Sequence, residues 1–154
     1  MKPLIATFVL LLGALAVAQS ATTLDAKAQI APADLVKIMP RSQPLIFFVG
    51  PRTLYTQAHI AGAEYIGMTA KPEGIQALQS RVEKLPKTRL IVLYCGCCPW
   101  DKCPNIAPAY NLLKGLGFKN VKVVHIEQNF GEDWVSKGLP TQKGEPAVPA
   151  TAAK

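Results

Sequence analysis

The apolar positions of this chain fall into two patterns. Residues 45–49 (LIFFV), 89–94 (RLIVLY) and 121–126 (VKVVHI) are short, nearly continuous apolar runs. Runs of that length predict strands covered on both faces. Gly50-Pro51 ends the first of them. Between the runs the pattern changes to helical spacing. Residues 32–39 place Leu35, Val36 and Met39 on one face, with Pro32 near the start, where its missing N–H costs nothing. Residues 72–85 place Ile75, Leu78, Val82 and Leu85 on one face, and residues 105–116 end at Gly117, a natural helix stop. Shorter elements are expected at 53–58 (helix), 63–66 (strand, after the Ala61-Gly62 turn) and 130–137 (helix). Strand–helix alternation of this kind predicts an α/β domain of three layers, a central mainly parallel sheet flanked by helices. Sites in such folds gather just beyond the C-terminal ends of the strands. Cys95 stands immediately after the second run, and His125 and Glu127 stand near the end of the third.

The two ends of the chain do not share this alternation. Lys2 opens a stretch that is apolar from Leu4 to Ala18 apart from Thr7 and Gly13. That is the form of a secretory leader and short for a membrane span. Ala16-Val17-Ala18 supplies the small-x-small cleavage pattern, so residues 1–18 are expected to be a signal peptide and Gln19 the mature start. No stable membrane association is expected after cleavage, and the mature protein is expected to be secreted or periplasmic. Residues 19–30 form an N-terminal extension and 31–140 the folded domain. Residues 141–154, rich in Pro, Ala and Lys, are expected to be a disordered tail. The formal net charge is +7. The basic residues are scattered, with no Lys/Arg run and no aromatic interleaving, which argues against nucleic acid as a partner.

The chemistry is concentrated in one place. All 4 cysteines lie between Cys95 and Cys103: Cys95, Cys97, Cys98 and Cys103. A disulfide framework of a small secreted fold would spread them along the chain. Clustered thiols instead point to redox, sulfur or metal chemistry. The loop joins a strand to a helix, so its backbone N–H groups and the helix N-terminus should converge on one spot and favour negative charge there. A thiolate in that field is a better nucleophile near neutral pH. Gly96 eases the curl of the backbone beside Cys95. Trp100 is placed to cap the site or pack the loop, and Lys102 to attract an anion.

Four stretches together resemble a single-domain rhodanese-like sulfurtransferase. Tyr55 followed by His59-Ile60-Ala61-Gly62-Ala63 is similar to the family's E-Y-x-x-G-H-I-P-G-A signature. Leu90 to Cys95 resembles the strand entering the active-site cysteine, and Leu112 to Val121 the helix and turn after it. Trp134 with Gly138-Leu139-Pro140 resembles the closing W-x(3)-G-L-P. The resemblance spans 31–140 and implies a rhodanese-like fold, with Cys95 as the residue that carries a persulfide. It also implies that His59 anchors a turn and does no chemistry. Two departures stand out. Phe48-Val49-Gly50 replaces the usual D-V-R, and the loop after Cys95 is longer than usual, with Asp101 at the sixth position. A cysteine phosphatase would need an arginine in that loop to clasp phosphate. None is present.

Three chemistries and one structural alternative follow. In sulfur transfer, Cys95 takes sulfur from a small anionic donor and passes it to a thiol acceptor, with Cys97, Cys98 or Cys103 resolving or relaying. In thiol–disulfide exchange, the C-x-x-C spacing of Cys95 and Cys98 poises a disulfide. In the third, Cys95, Cys97, Cys98 and Cys103, with His125 as an added candidate, hold copper or zinc. Alternatively, Cys97 or Cys98 pairs with Cys103 merely to staple the loop. No resident cofactor is expected on the first reading.

Overall fold

The three apolar runs form the inner strands of one sheet. The computed structural model describes Leu24 and residues 26–145. The expected leader over 1–18 and the tail beyond 145 lie outside the described residues. In chain order the elements are β1 (Gln29–Ile30), α1 (Pro32–Ser42), β2 (Leu45–Phe48), α2 (Arg52–Gln57), β3 (His59–Ile60), β4 (Glu64–Tyr65), α3 (Pro72–Val82), β5 (Ile91–Tyr94), α4 (Ile106–Gly115), β6 (Val121–Val124) and β7 (Thr141–Gln142). The main sheet has 5 strands in the order β1-β6-β5-β2-β4. Every pairing in it is parallel. β5 sits at the centre, in register with β2 through Phe47 opposite Leu93 and Phe48 opposite Tyr94.

A central strand with neighbours on both sides must be apolar on both faces, and all of β5 is buried. Side chains alternate across it. Leu93, Phe47 and Val49 pack with Leu78, Val82 and Leu113 from α3 and α4. Val92, Tyr94, Ile46 and Phe48 pack on the other side with Leu35, Tyr55 and Trp134. Two helical layers thus enclose the sheet, as the alternation implied. Among the described residues no helix is long and apolar enough to cross a membrane.

The expected boundaries shift in three places. The extension over 19–30 contributes β1, which pairs with β6, and the buried Leu24. Thr141–Gln142, expected in the tail, pairs antiparallel with β3. Arg52 forms an ion pair with Glu145. Two-residue strands are held by backbone hydrogen bonds and carry no periodic signal, so composition alone misplaces them. The last helix is a π-helical turn over Gly131–Val135. It is closed by Ser136 N–H donating to Gly131 O at 2.8 Å, with Trp134 buried beneath it.

Candidate functional site: a thiol cluster at the head of β5

Cys95 leaves β5 on the side of the sheet covered by α3 and α4 and is 2% exposed. Its neighbour Gly96 turns the chain with φ +87°, the left-handed region that glycine enters freely. A Cβ at Gly96 would lie 2.7 Å from Phe130 Cβ, and Phe130 N–H donates to Gly96 O at 3.0 Å. The loop is pinned further along where Trp100 N–H donates to Ile126 O at 2.9 Å.

Three sulfurs converge. Sγ atoms of Cys95, Cys97 and Cys103 all lie within 4.8 Å of one another. Cys95 Sγ is 3.3 Å from Cys97 Sγ, which is 3.1 Å from Cys98 Sγ. Cys95 and Cys103 are buried, Cys98 is half-buried and Cys97 is exposed. All four are free thiols, so the stapling alternative is not realised in this structure.

Asn105 organises the cluster. It is 4% exposed, and its Nδ2 lies 3.6 Å from Cys95 Sγ and 3.9 Å from Cys103 Sγ. Its Oδ1 accepts from Ala70 N–H at 3.0 Å, and its carbonyl accepts from the Thr69 hydroxyl at 2.5 Å. Sequence reasoning placed Asn105 only at a helix start, and no spacing rule would have tied it to the sulfurs. Gly50 stood in the sequence only as a strand end and a departure from D-V-R. A Cβ there would stand 2.8 Å from Cys95 Sγ and 2.9 Å from the Phe48 ring. The missing side chain is the space that the sulfur occupies.

The electrostatics correct one expectation. The low-pKa thiol was assigned to Cys95, but its pKa is raised, first by the hydrogen bond it gives Cys103 and then by burial. Cys103 is lowered, to about 6. The Cys95 hydrogen bond is its leading cause, and the N–H groups of Asn105 and Ile106 at the start of α4 add to it against burial. The longer loop therefore brings a second cysteine to the helix N-terminus. Cys98 is pushed up to about 12, chiefly by burial.

Other expected residues are less central. Lys102 is exposed in the turn over Trp100–Lys102 and does not line the cleft beside Cys95. That cleft, about 330 Å³, is walled by Phe48, Leu54, Gly96, Phe130 and Val135, with Cys95 and Cys97 at its edge. It contains no charged side chain. His125 is not brought to the sulfurs: its Nδ1 lies 2.5 Å from Gln29 Oε1, and Trp100 packs on its ring at 5.9 Å. Trp100 acts as a wedge between loop and β6. His59 is buried, with Nδ1 against Tyr55 O at 2.8 Å, in the anchoring role that the resemblance implied.

Comparison with solved structures settles the architecture. The chain superposes on the rhodanese-like domain of the Alr3790 protein of Anabaena with TM-score 0.55 at 23% identity, covering 82% of this chain and 87% of that one. The fold is rhodanese-like. A 3-mercaptopyruvate sulfotransferase of Escherichia coli gives TM-score 0.57 at 15% identity, over 79% of this rhodanese-like chain and 54% of the enzyme. EanB, captured as a cysteine persulfide with ergothioneine, gives TM-score 0.57 at 21% identity, over 75% of this chain and 28% of that one. No family model matches the chain, and no curated protein sequence matches it.

Proposed function

We propose that this rhodanese-like domain transfers sulfur through a persulfide on Cys95. The observation that carries the reading is the position of Cys95: at the head of the central strand, edging a cleft, with an exposed thiol 3.3 Å away. Structural neighbours include a sulfotransferase and a protein captured as a persulfide, which supports the reading from the side of the fold.

The steps balance as follows. On donor binding the Cys95 proton crosses its hydrogen bond to the Cys103 thiolate, an uphill transfer, since Cys95 is raised and Cys103 lowered, that sulfur–sulfur bond formation on Cys95 must offset. The Cys95 thiolate attacks the sulfane sulfur of a small donor. A sulfur–sulfur bond forms on Cys95 and the donor's own bond breaks, releasing sulfite when thiosulfate is the donor. The Cys97 thiolate then attacks the outer sulfur, leaving Cys95 as thiolate and Cys97 as the persulfide. From that exposed position the sulfur passes to an external thiol. The uncharged wall of the cleft favours an acceptor with an apolar body over a strongly anionic one. Export belongs to the same proposal, supported by the apolar run over 4–18 and Ala16-Val17-Ala18. It predicts that protein recovered from the producing cell begins at Gln19, read by intact mass.

Reduced protein incubated with thiosulfate and cyanide should form thiocyanate, and Cys95→Ser should abolish it, a loss of at least about 1,000-fold for a covalent nucleophile. Equal turnover by wild type and Cys95→Ser would reject the reading. Persulfide on Cys95, mapped by mass spectrometry after donor alone, checks the intermediate.

A further inference from the structure

Metal-ligating side chains elsewhere are scattered: among the described residues only one group of sulfur, imidazole or carboxylate ligands converges, and it is Cys95, Cys97 and Cys103. We propose that these three sulfurs form a trigonal site for a soft monovalent cation of the copper(I) class, and that its occupancy switches sulfur transfer off.

Three features carry this. The first is spacing. Metal–thiolate bonds near 2.3 Å in a plane put the sulfurs about 4.0 Å apart. The three Sγ atoms lie within 4.8 Å of one another, with Cys95 and Cys97 at 3.3 Å. Changes in sulfur–sulfur separation of less than about 1 Å suffice. The second is the donor set. It is sulfur only, and His125 is held away by Gln29 and Trp100. Cys98 touches Cys97 at 3.1 Å but falls outside the convergent group. Thiolates suit both zinc and copper(I), but structural zinc takes four ligands in a tetrahedron, whereas copper(I) accepts three thiolates in a plane. Three convergent sulfurs with no fourth vertex suit the second ion. The third is the surroundings. Cys95 and Cys103 are buried, and Phe48 and Phe130 wall the adjoining cleft, which shields a soft ion from water. The Asn105 side-chain amide, directed at both buried sulfurs, offsets the negative charge of the thiolates. Binding expels the thiol protons and forms three copper–sulfur bonds with no change in oxidation state. Cys95 is then no longer free to attack a donor.

The experiment is an anaerobic titration of the reduced full-length protein with copper(I), in competition with a chromophoric copper(I) chelator. One equivalent should bind, with thiolate-to-copper charge transfer in the near ultraviolet. X-ray absorption on the same sample should find three sulfurs at about 2.3 Å. Cys97→Ser, an exposed position that leaves the core intact, should weaken binding by more than the 10–100-fold typical of a residue that only orients a ligand, while Cys98→Ser should stay within about tenfold of wild type. Copper-loaded protein should form no thiocyanate and regain the activity after chelation. Failure to compete with the chelator, equal losses in Cys97→Ser and Cys98→Ser, or zinc displacing copper into a four-sulfur shell would each overturn the proposal. Metal-free protein assayed for thiocyanate separates the two readings. The switch rests on the proposed sulfur transfer: copper binding without turnover overturns the enzymic reading and the switch but leaves the copper site, and turnover without copper binding overturns the copper site alone.

Discussion

Two segments of this molecule flank the same central strands and have opposite character. Between residues 55 and 63 the buried polar side chains, Tyr55 and His59, each have a firm structural partner. The Tyr55 hydroxyl donates to Ala63 O at 2.7 Å, His59 Nδ1 meets Tyr55 O at 2.8 Å, and the two rings stack at 3.9 Å and 5°. Between residues 95 and 105 the reactive atoms are sulfurs whose partners are one another and the Asn105 amide, with one thiol open to solvent. The first segment is a lock: its groups are satisfied by geometry that leaves nothing to react. The second has its donors and acceptors shared among thiols, so protonation, oxidation or a ligand alters several groups at once. The difference lies in how the polar groups are satisfied, since both segments are well packed.

The comparison breaks most visibly by emptying the lock. Tyr55→Ala removes a fully buried ring and its hydrogen bond, and should cost about 3–5 kcal/mol of stability, measured by denaturant unfolding. Thiol reactivity of the protein that remains folded should be little changed. Gly96→Ala is next. It forces a side chain into the left-handed region and against Phe130, for about 1–3 kcal/mol. Unlike the Tyr55 change, it should also abolish thiocyanate formation, because it displaces the start of the thiol loop.

The smallest effect is electrostatic. A thiolate step in ultraviolet absorbance should appear as pH rises through about 6, and Cys103→Ser should erase it. Cys95→Ala should move the step upward, because the Cys95 hydrogen bond is the leading cause of the lowered value. The sign for stability follows. A lowered Cys103 stabilises the fold above its unfolded value and loses that contribution as pH falls toward about 6. Cys95, raised, contributes in the opposite sense as pH climbs above the ordinary thiol value.

Much of the scaffold was legible in the chain. The runs at 45–49, 89–94 and 121–126 pointed to buried strands, and the spacing of Ile75, Leu78 and Val82 to one helical face. Their order then left a parallel sheet with Cys95 at its C-terminal edge. What escaped was whatever depends on a single distant contact. β7 is a polar pair that becomes a strand only because His59–Ile60 offers it an edge. Gly50 registered as a lost charge, but its meaning is the 2.8 Å that a Cβ would leave to the Cys95 sulfur. The pattern of thiols was plain, yet which of them holds the charge depends first on the hydrogen bond between Cys95 and Cys103 and then on where α4 begins relative to Cys103. Loop length alone does not set that.

One contact links the two segments. The Ile60 N–H is received by the phenol oxygen of Tyr94, the residue just before Cys95, at 3.0 Å. The small ribbon of β3 and β7 is therefore moored to the strand that presents the sulfur. A strain or tilt at the head of that strand would register at the Ile60 amide, so its NMR resonance offers a remote gauge of whether Cys95 is bare or loaded.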